Sequence, residues 1–554
     1  MNLQKLFPYD PRKGQVNLID NMVQTIKNNN ILLTSAPTGM GKTICAITAA
    51  LNSDKKCIFV TPRKSQHKIV IDSINDIGIG SVISIIGKRE MCINDNIKKS
   101  TNFYEACLNT RCPFKYKLAP RDINSHMDSF IEYCSDNGAC PYYTALECAK
   151  DVDIVIANYR HIFDPIISKI FFNKLEVDMS DIVLIVDEAH NLPNMLRDIA
   201  SIQISETSIN RAMDETRYLI TEQNIKKTNE ILGTTILYKM MDSMTKQKDI
   251  IYKNDINIAW NQVNFLHEMG GLVLNRKKED GKISPISYIQ RVADFFSTWL
   301  EEDELSYVRI LENYKDNLKM SIKCMEPQIL SEVVYEFDSV ILMSGTLEPI
   351  GYFKEVLGLT NASMKRYPPT FPIENKIVII DDSLTTIYKS RNERTYKDYA
   401  DKISLICNDV EGNVIVFFPS YKFMNEVANY INCDRIMIKE SPNIIRTIHK
   451  LLESRDKLIL AVERGSLAEG IDYPGNLLPT IIIVGFPYPV MSVEQKALTN
   501  YYQRKNGNGF VMASLYPTIN IILQTMGRGI RSETDKCTIH LLDKRFKQYE
   551  RYFK

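Results

Sequence analysis

The sequence predicts an α/β protein of two parallel-sheet domains, the first interrupted by two insertions. Three observations carry this. An apolar run at 31–34 leads through a Gly-rich turn into a helix at about 42–51, the start of a βαβ unit. Short β-branched runs then recur between helical stretches, the pattern of strands covered on both faces. Two stretches, 88–150 and about 200–330, break the alternation, and it resumes after Tyr367.

Taken in order, Val16, Ile19, Val23 and Ile26 have helical spacing over 16–27. Strands are expected at 31–34, 57–60, 83–86, 154–157, 183–186 and 340–343 in the first domain. In the second they are expected at 377–380, 414–418, 458–462, 480–484 and 538–542. The segment 88–150 is Cys-rich with few strand signals. The segment 200–330 is polar and mostly helical in pattern, with Trp260 and Trp299 expected in its core.

Composition excludes several classes. The 554 residues are 44% hydrophobic and 24% charged, ordinary for a globular chain and unlike a disordered, collagen-like or coiled-coil one. No stretch reaches the roughly 18 apolar residues needed to span a bilayer. Residues 1–10 show no basic flank before an apolar core, so no signal peptide, no membrane partner and a cytoplasmic location are expected. A net charge of +1 excludes a histone-like polycation but leaves a local basic groove open.

Ala36-Pro37-Thr38-Gly39-Met40-Gly41-Lys42-Thr43 sits between strand and helix and fits a P-loop, with Ala36 in place of the first glycine. Gly39 and Gly41 let backbone N–H groups approach phosphate oxygens at a helix N-terminus. Lys42 would neutralise the β- and γ-phosphates and Thr43 would ligate Mg²⁺. Asp187-Glu188-Ala189-His190 follows a strand. There Asp187 can hold Mg²⁺ and Glu188 can orient and deprotonate the attacking water. Gln524-Thr525-Met526-Gly527-Arg528-Gly529-Ile530-Arg531 has Q-x-x-G-R-x-x-R spacing. One helical face presents Gln524, Arg528 and Arg531, suited to charge developing on a γ-phosphate.

Six of the twelve cysteines, Cys92, Cys107, Cys112, Cys134, Cys140 and Cys148, fall in the first insertion. Such clustering in an intracellular chain points to a metal site, and tetrahedral zinc uses the same ligand type. Nearby, Lys88, Arg89, Lys98, Lys99, Lys115 and Lys117 interleave with Phe103, Tyr104, Phe114 and Tyr116. That pattern suits a single-strand contact or an ordinary solvated surface.

Together, DEAH, the P-loop and Q-x-x-G-R-x-x-R resemble a superfamily-2 helicase, and the Cys-rich insertion between the first two resembles the XPD-type iron–sulfur DNA helicases, archaeal members above all. The resemblance covers essentially the whole chain. Arg12 and Gln15 resemble the family's adenine-side R-x-x-Q, Ser344-Gly345-Thr346-Leu347 motif III, Phe417–Tyr421 motif IV, and Glu463–Asp472, with Gly470 and Asp472, motif V. Thr61-Pro62-Arg63-Lys64-Ser65-Gln66 resembles motif Ia, with Lys64 where the family has Thr.

The resemblance implies two RecA-like motor domains: the first at 1–87, 151–200 and 331–367, the second at 368–554. It implies an iron–sulfur domain at 88–150 and a helical Arch at 201–330. Cys140-Pro141-Tyr142 matches the family's Cys-Pro-Tyr, which makes Cys92, Cys107, Cys112 and Cys140 the ligands of a 4Fe-4S cluster, with Cys134 as the substitute. It also implies ATP, Mg²⁺ and 5′-to-3′ movement on single-stranded DNA. Forked or overhang duplexes would be substrates, in DNA repair, for a monomer with repair or transcription proteins as partners. The alternative is a single-stranded-DNA-binding scaffold with a weak or regulatory ATPase.

Overall fold

The computed structural model describes residues 6–37, 39–114, 124–282, 284–454, 456–465, 467–468, 477–530 and 532–554. Strands β1 (Ile31–Ser35), β2 (Lys56–Thr61), β3 (Val82–Ser84), β4 (Ile154–Asn158) and β5 (Ile182–Val186) come first. They are followed by β6 (Ile202–Ser205), β7 (Ile250–Ile251), β8 (Tyr307–Tyr314) and β9 (Asn317–Cys324), then β10 (Ser339–Ser344) and β11 (Ser363–Arg366). The last six are β12 (Lys376–Asp381), β13 (Val414–Phe418), β14 (Ile436–Lys439), β15 (Lys457–Val462), β16 (Thr480–Val484) and β17 (Cys537–Leu542).

Two sheets are wholly parallel, ordered β11-β1-β10-β5-β2-β4-β3 and β12-β17-β16-β13-β15-β14. The expected α/β class with two such sheets is correct. Central strands are covered on both faces. Leu33, Ile58, Val60, Leu184 and Val186 enter one core, and Leu32, Phe59, Val183 and Ile185 the opposite one. This is the period-2 alternation of a strand sandwiched between helices. Register places Ser35 beside Ser344, and Val186 beside both Val60 and Leu342. The chain therefore leaves β1, β5 and β10 at one edge of the sheet, where open α/β sheets bind ligands.

Between β5 and β10 the chain is mostly helical, as its pattern suggests, but strands not expected there join the helices. It carries a four-stranded antiparallel sheet, β6-β9-β8-β7, against helices Trp260–Glu279 and Tyr288–Glu301. The β8–β9 turn has Lys315 and Asp316 both at positive φ, 52° and 59°. That is the two-residue hairpin geometry usually announced by Asn-Gly or Asp-Gly, and here no glycine marks it. Trp299 is buried in the core of this unit, with the Arg309 guanidinium over its ring at 5.0 Å. Trp260 is 45% exposed, so the expectation of a core tryptophan fails there: it is the first residue of its helix.

A buried ion pair anchors the two long helices. Glu215 pairs with Lys277 and also accepts from Ser287 Oγ, Tyr288 N and Ile289 N at the start of Tyr288–Glu301. The two insertions of the first lobe touch, Asn102 Nδ2 donating to Pro285 O (3.0 Å) and Lys278 pairing with Glu105 (3.4 Å). The second lobe meets the first through Asn520 Nδ2 to Glu348 O (2.6 Å), Asn506 Nδ2 to Glu355 Oε1 (2.6 Å) and Lys505 with Glu326. It meets the inserted sheet through Lys323 and Glu494 (3.3 Å). Among the described residues no helix is long and apolar enough to cross a membrane.

Removing one member of a buried ion pair leaves the other charge unmet, at about 3–5 kcal/mol. Glu215→Ala should destabilise the inserted unit by that amount. Calorimetry and hydrogen exchange over 201–330 check it.

Candidate functional site

The phosphate-binding turn is built by backbone conformation. Gly39 and Gly41 sit at φ 84° and 70°, a region that disfavours side chains, and the helix Lys42–Leu51 starts at once, with Gly41 at its N-cap. A Cβ on Gly41 would come within 2.8 Å of Gln15 Nε2. Gln15, itself buried, donates to Met40 O (2.8 Å) and accepts from Arg12 N (2.5 Å), and Arg12 Nη1 donates to Gly39 O (2.5 Å). Both residues proposed for the adenine side thus brace the turn itself. Ala36 is buried and continues the sheet, its N–H donating to Ser344 O (3.0 Å); Met40 is buried. Thr38 lies outside the described residues.

Asp187 leaves β5 with its N–H on Val60 O (3.0 Å), and the buried Tyr159 hydroxyl holds its carbonyl. Its carboxylate is buried and accepts the Glu188 N–H (2.9 Å). Burial, then the adjacent Glu188 charge, push Asp187 up to about 7, opposed by Lys42. Burial also works upward on Glu188. It is outweighed by the hydrogen bond from His190 and by the charges of His190, Lys42 and Arg528, which hold Glu188 below the carboxylate range. Ser344 ties this turn to β10: its hydroxyl donates to Glu188 Oε2 (3.2 Å), lies 2.7 Å from His190 Nδ1 and accepts Thr346 N (3.2 Å).

These groups line one cleft of about 510 Å³ between the lobes. Its walls carry Arg12, Gly39, Gly41, Lys42, Thr43, Asp187, Glu188 and His190 from the first lobe and Gln524 and Arg528 from the second. The volume suits a small-molecule ligand. The hard oxygens of Thr43 and Asp187 suit Mg²⁺. Arg528 is oriented by Nε to Ala468 O (3.1 Å). Gly470, Asp472 and Arg531 lie outside the described residues. Asn191, Ile69 and Leu523 also line the cleft, and Tyr159 supports it from behind. No short motif marks those four.

The cysteines separate into two groups. Cys92, Cys107 and Cys112 are partly buried around Ile97, Phe103 and Ala106. Asn94 bridges two of them, accepting from Cys92 Sγ and donating to Cys112 Sγ, each at 3.6 Å. Cys140 is the N-cap of helix Pro141–Cys148, and its sulfur accepts from the Tyr142 and Tyr143 N–H groups. It lies in electrostatic reach of Cys92 and Cys107. Lys88 reaches the Cys107 sulfur and donates to Tyr143 OH (2.9 Å). Cys134 and Cys148 are instead buried in the first lobe's core.

Among the described residues no three His, Cys, Asp or Glu side chains converge on a single-ion site. Three thiols, Cys92, Cys107 and Cys112, face one small apolar floor, and Cys140 stands at a helix N-terminus with N–H donors to its sulfur; thiolates are the ligand type of iron–sulfur clusters and of zinc alike. Lys88 and Arg89 are spent inside this segment, Lys88 over the Tyr143 ring (4.8 Å) and Arg89 over Phe103 with bonds to Lys98 O and Ser100 O. Tyr104 and Lys99 point outward; residues 115–117 lie outside the described residues.

Two parallel-sheet lobes sharing a phosphate-binding cleft, with a Lys-Asp-Glu half and a Gln-Arg half, define a helicase-type ATPase. Known families agree. The DEAD_2 model matches residues 59–209 and the helicase C-terminal domain model residues 403–554. The ATP-dependent DNA helicase XPD of Sulfolobus acidocaldarius is 25% identical over 97% of this chain and 96% of its own length. The general transcription and DNA repair factor IIH helicase subunit XPD/RAD3 of Saccharomyces cerevisiae is 19% identical over 98% of this chain and 87% of its own length. A solved XPD helicase superposes with a TM-score of 0.71 at 23% identity over 98% of both chains. The S. tokodaii Xpd4 structure gives 0.66 at 18% identity, again over 98% of both. The chain carries both of these helicase domains, is similar to XPD helicases along nearly its whole length, and is an ATP-dependent DNA helicase.

Gln15→Ala removes the brace between helix Gln15–Lys27 and the phosphate turn. Two lost hydrogen bonds at about 1 kcal/mol each should weaken nucleotide binding by up to about thirtyfold. Titration with a fluorescent ATP analogue measures this, with the melting temperature as the control.

Proposed function

We propose that this chain is a DNA motor that hydrolyses ATP between its two RecA-like lobes and moves 5′ to 3′ along single-stranded DNA, opening forked or overhang duplexes during DNA repair. The observation that carries the reading is the shared cleft, in which Lys42, Asp187 and Glu188 face Gln524 and Arg528. Lys42 binds the β- and γ-phosphates, and Thr43 and Asp187 hold Mg²⁺. Glu188 takes the proton of the attacking water, and Arg528, with Arg531, neutralises the charge growing on the γ-phosphate. Asp187 must be ionised to hold the metal, and the cation itself favours that state. The site needs both lobes, so hydrolysis is coupled to their closure. Arg12, Gln15 and residues 36–43 bind nucleotide, with Gly470 and Asp472 contributing from the second lobe.

Cys92, Cys107, Cys112 and Cys140 would hold a 4Fe-4S cluster, which supplies cross-linking to a segment whose apolar floor is three residues. On this reading the first motor comprises 1–87, 151–200 and 331–367, the iron–sulfur domain 88–150, the Arch 201–330 and the second motor 368–554. A monomer completes the site, and repair or transcription proteins are its partners.

Lys42→Ala should abolish ATP hydrolysis and unwinding while single-stranded DNA binding persists. An unwinding activity that survives it would leave a scaffold with a weak or regulatory ATPase. Duplexes with a 5′ overhang should be opened and those with a 3′ overhang left intact, read by strand displacement. Anaerobic absorbance with iron and sulfide analysis should give about four irons per chain and a broad band near ~400 nm, lost in Cys112→Ser. One zinc and no colour would remove the cluster.

A further inference from the structure

The geometry points to Glu440 as a positioning residue for Arg528, acting through the turn that carries Val462, Gly465, Leu467 and Ala468. This deepens the proposed hydrolysis reaction and rests on it.

Glu440 follows β14 and is fixed by its backbone, its N–H donating to Leu460 O (2.8 Å) one step beyond the β14–β15 ladder. The next residue, Ser441, caps helix Pro442–Leu452, so the chain is pinned on both sides of Glu440. Its two carboxylate oxygens are used separately. Oε2 accepts Val462 N (3.0 Å), where β15 ends, and Oε1 accepts Leu467 N (3.2 Å), five residues on. One side chain thus clamps both ends of the turn.

The turn closes tightly on that carboxylate. Gly465 N donates to Val462 O (2.9 Å) and Ala468 N to Gly465 O (3.1 Å). A Cβ on Gly465 would meet Val462 O at 2.7 Å and both Glu440 oxygens at 2.8 Å. Only glycine leaves room for the clamp.

The far end of the turn orients the reacting cation. Ala468 O accepts Arg528 Nε (3.1 Å), which fixes the guanidinium plane at the edge of the cleft. A second link runs from Thr525 Oγ1 to Glu463 Oε2 (2.9 Å), tying the start of the same turn to the helix Tyr516–Met526 that leads into Arg528. Glu440 therefore sets where Ala468 O sits, and Ala468 O sets where Arg528 points. A carboxylate does this because both its atoms accept. An amide offers one oxygen and an NH₂ that would confront a backbone N–H.

The test uses the full chain in single-turnover ATP hydrolysis with single-stranded DNA, comparing wild type, Glu440→Gln, Glu440→Asp, Arg528→Ala and the Glu440→Gln/Arg528→Ala double variant. A small displacement of a charge-stabilising group costs about tenfold to a hundredfold in rate. Glu440→Gln should lower the rate constant by that factor, with the KM for ATP within about twofold of wild type and an unchanged far-UV spectrum. Adding it to Arg528→Ala should produce no further loss. Glu440→Asp, one methylene shorter, should fall between, and it stands in if the glutamine variant is unstable. A wild-type rate in Glu440→Gln and Glu440→Asp, or a full second loss on top of Arg528→Ala, overturns the inference and leaves the proposed function standing. A wild-type chain that does not hydrolyse ATP overturns both.

Discussion

A nucleotide triphosphate brings several negative charges into a crevice, and the groups proposed to meet them are mounted on two bodies. The first lobe contributes a helix N-terminus, Lys42 and an acidic pair; the second contributes Gln524 and Arg528. Arg528 already acts on Glu188 across the gap, helping to hold that carboxylate ionised. Much of the surrounding architecture holds one or other half still. Gln15 and Arg12 stiffen the phosphate turn, Tyr159 and Ser344 fix the acidic turn, and the motif V turn aims the arginine.

That division explains what could be read from the amino-acid order. The phosphate turn, the DEAH turn and the Gln-Arg segment are runs of adjacent residues, because one short junction of chain must present the atoms of each. The last differs from its expected helical face, since the helix ends at Met526 and Arg528 follows it in a turn. Parallel strands such as Ile182–Val186 announce themselves through continuous β-branched burial. The supports do not. Glu440 and its partners lie 22 and 27 positions apart, and no period links them. Arg12 and Gln15 carry a motif that resembles an adenine contact, yet their side chains turn toward Gly39 and Met40. The β8–β9 hairpin lacks a glycine in its turn, and in β8 the adjacent Ile310 and Leu311 break the alternation; β9 alternates cleanly from Asn317 to Cys324, a strand signal present in the sequence.

The Cys-rich segment is a different solution to a size problem. Its own apolar centre, Ile97, Phe103 and Ala106, is too small to order a surface segment. The remaining helices of the insertion, including Met127–Asp136 with Cys134, pack instead into the first lobe's core. Of the four thiols proposed as ligands, Cys92, Cys107 and Cys112 lie at the edge of the small cluster and Cys140 caps the helix Pro141–Cys148. Burial, in other words, sorts six similar cysteines into two populations, which spacing alone does not.

The two lobes are joined by an apolar seat, where Leu498, Tyr501 and Tyr502 enter the first lobe's core, and by a fringe of charges, Lys505 with Glu326 and Lys323 with Glu494. Charge pairs of this partly exposed kind are worth about 0–1 kcal/mol and weaken as ions screen them, whereas the apolar seat is not weakened by screening. Added electrolyte will therefore loosen the hinge as well as the grip on a polyanion. For this molecule the slope of log affinity against log salt is not a plain count of phosphates held. Part of it measures the freedom of one lobe to swing against the other.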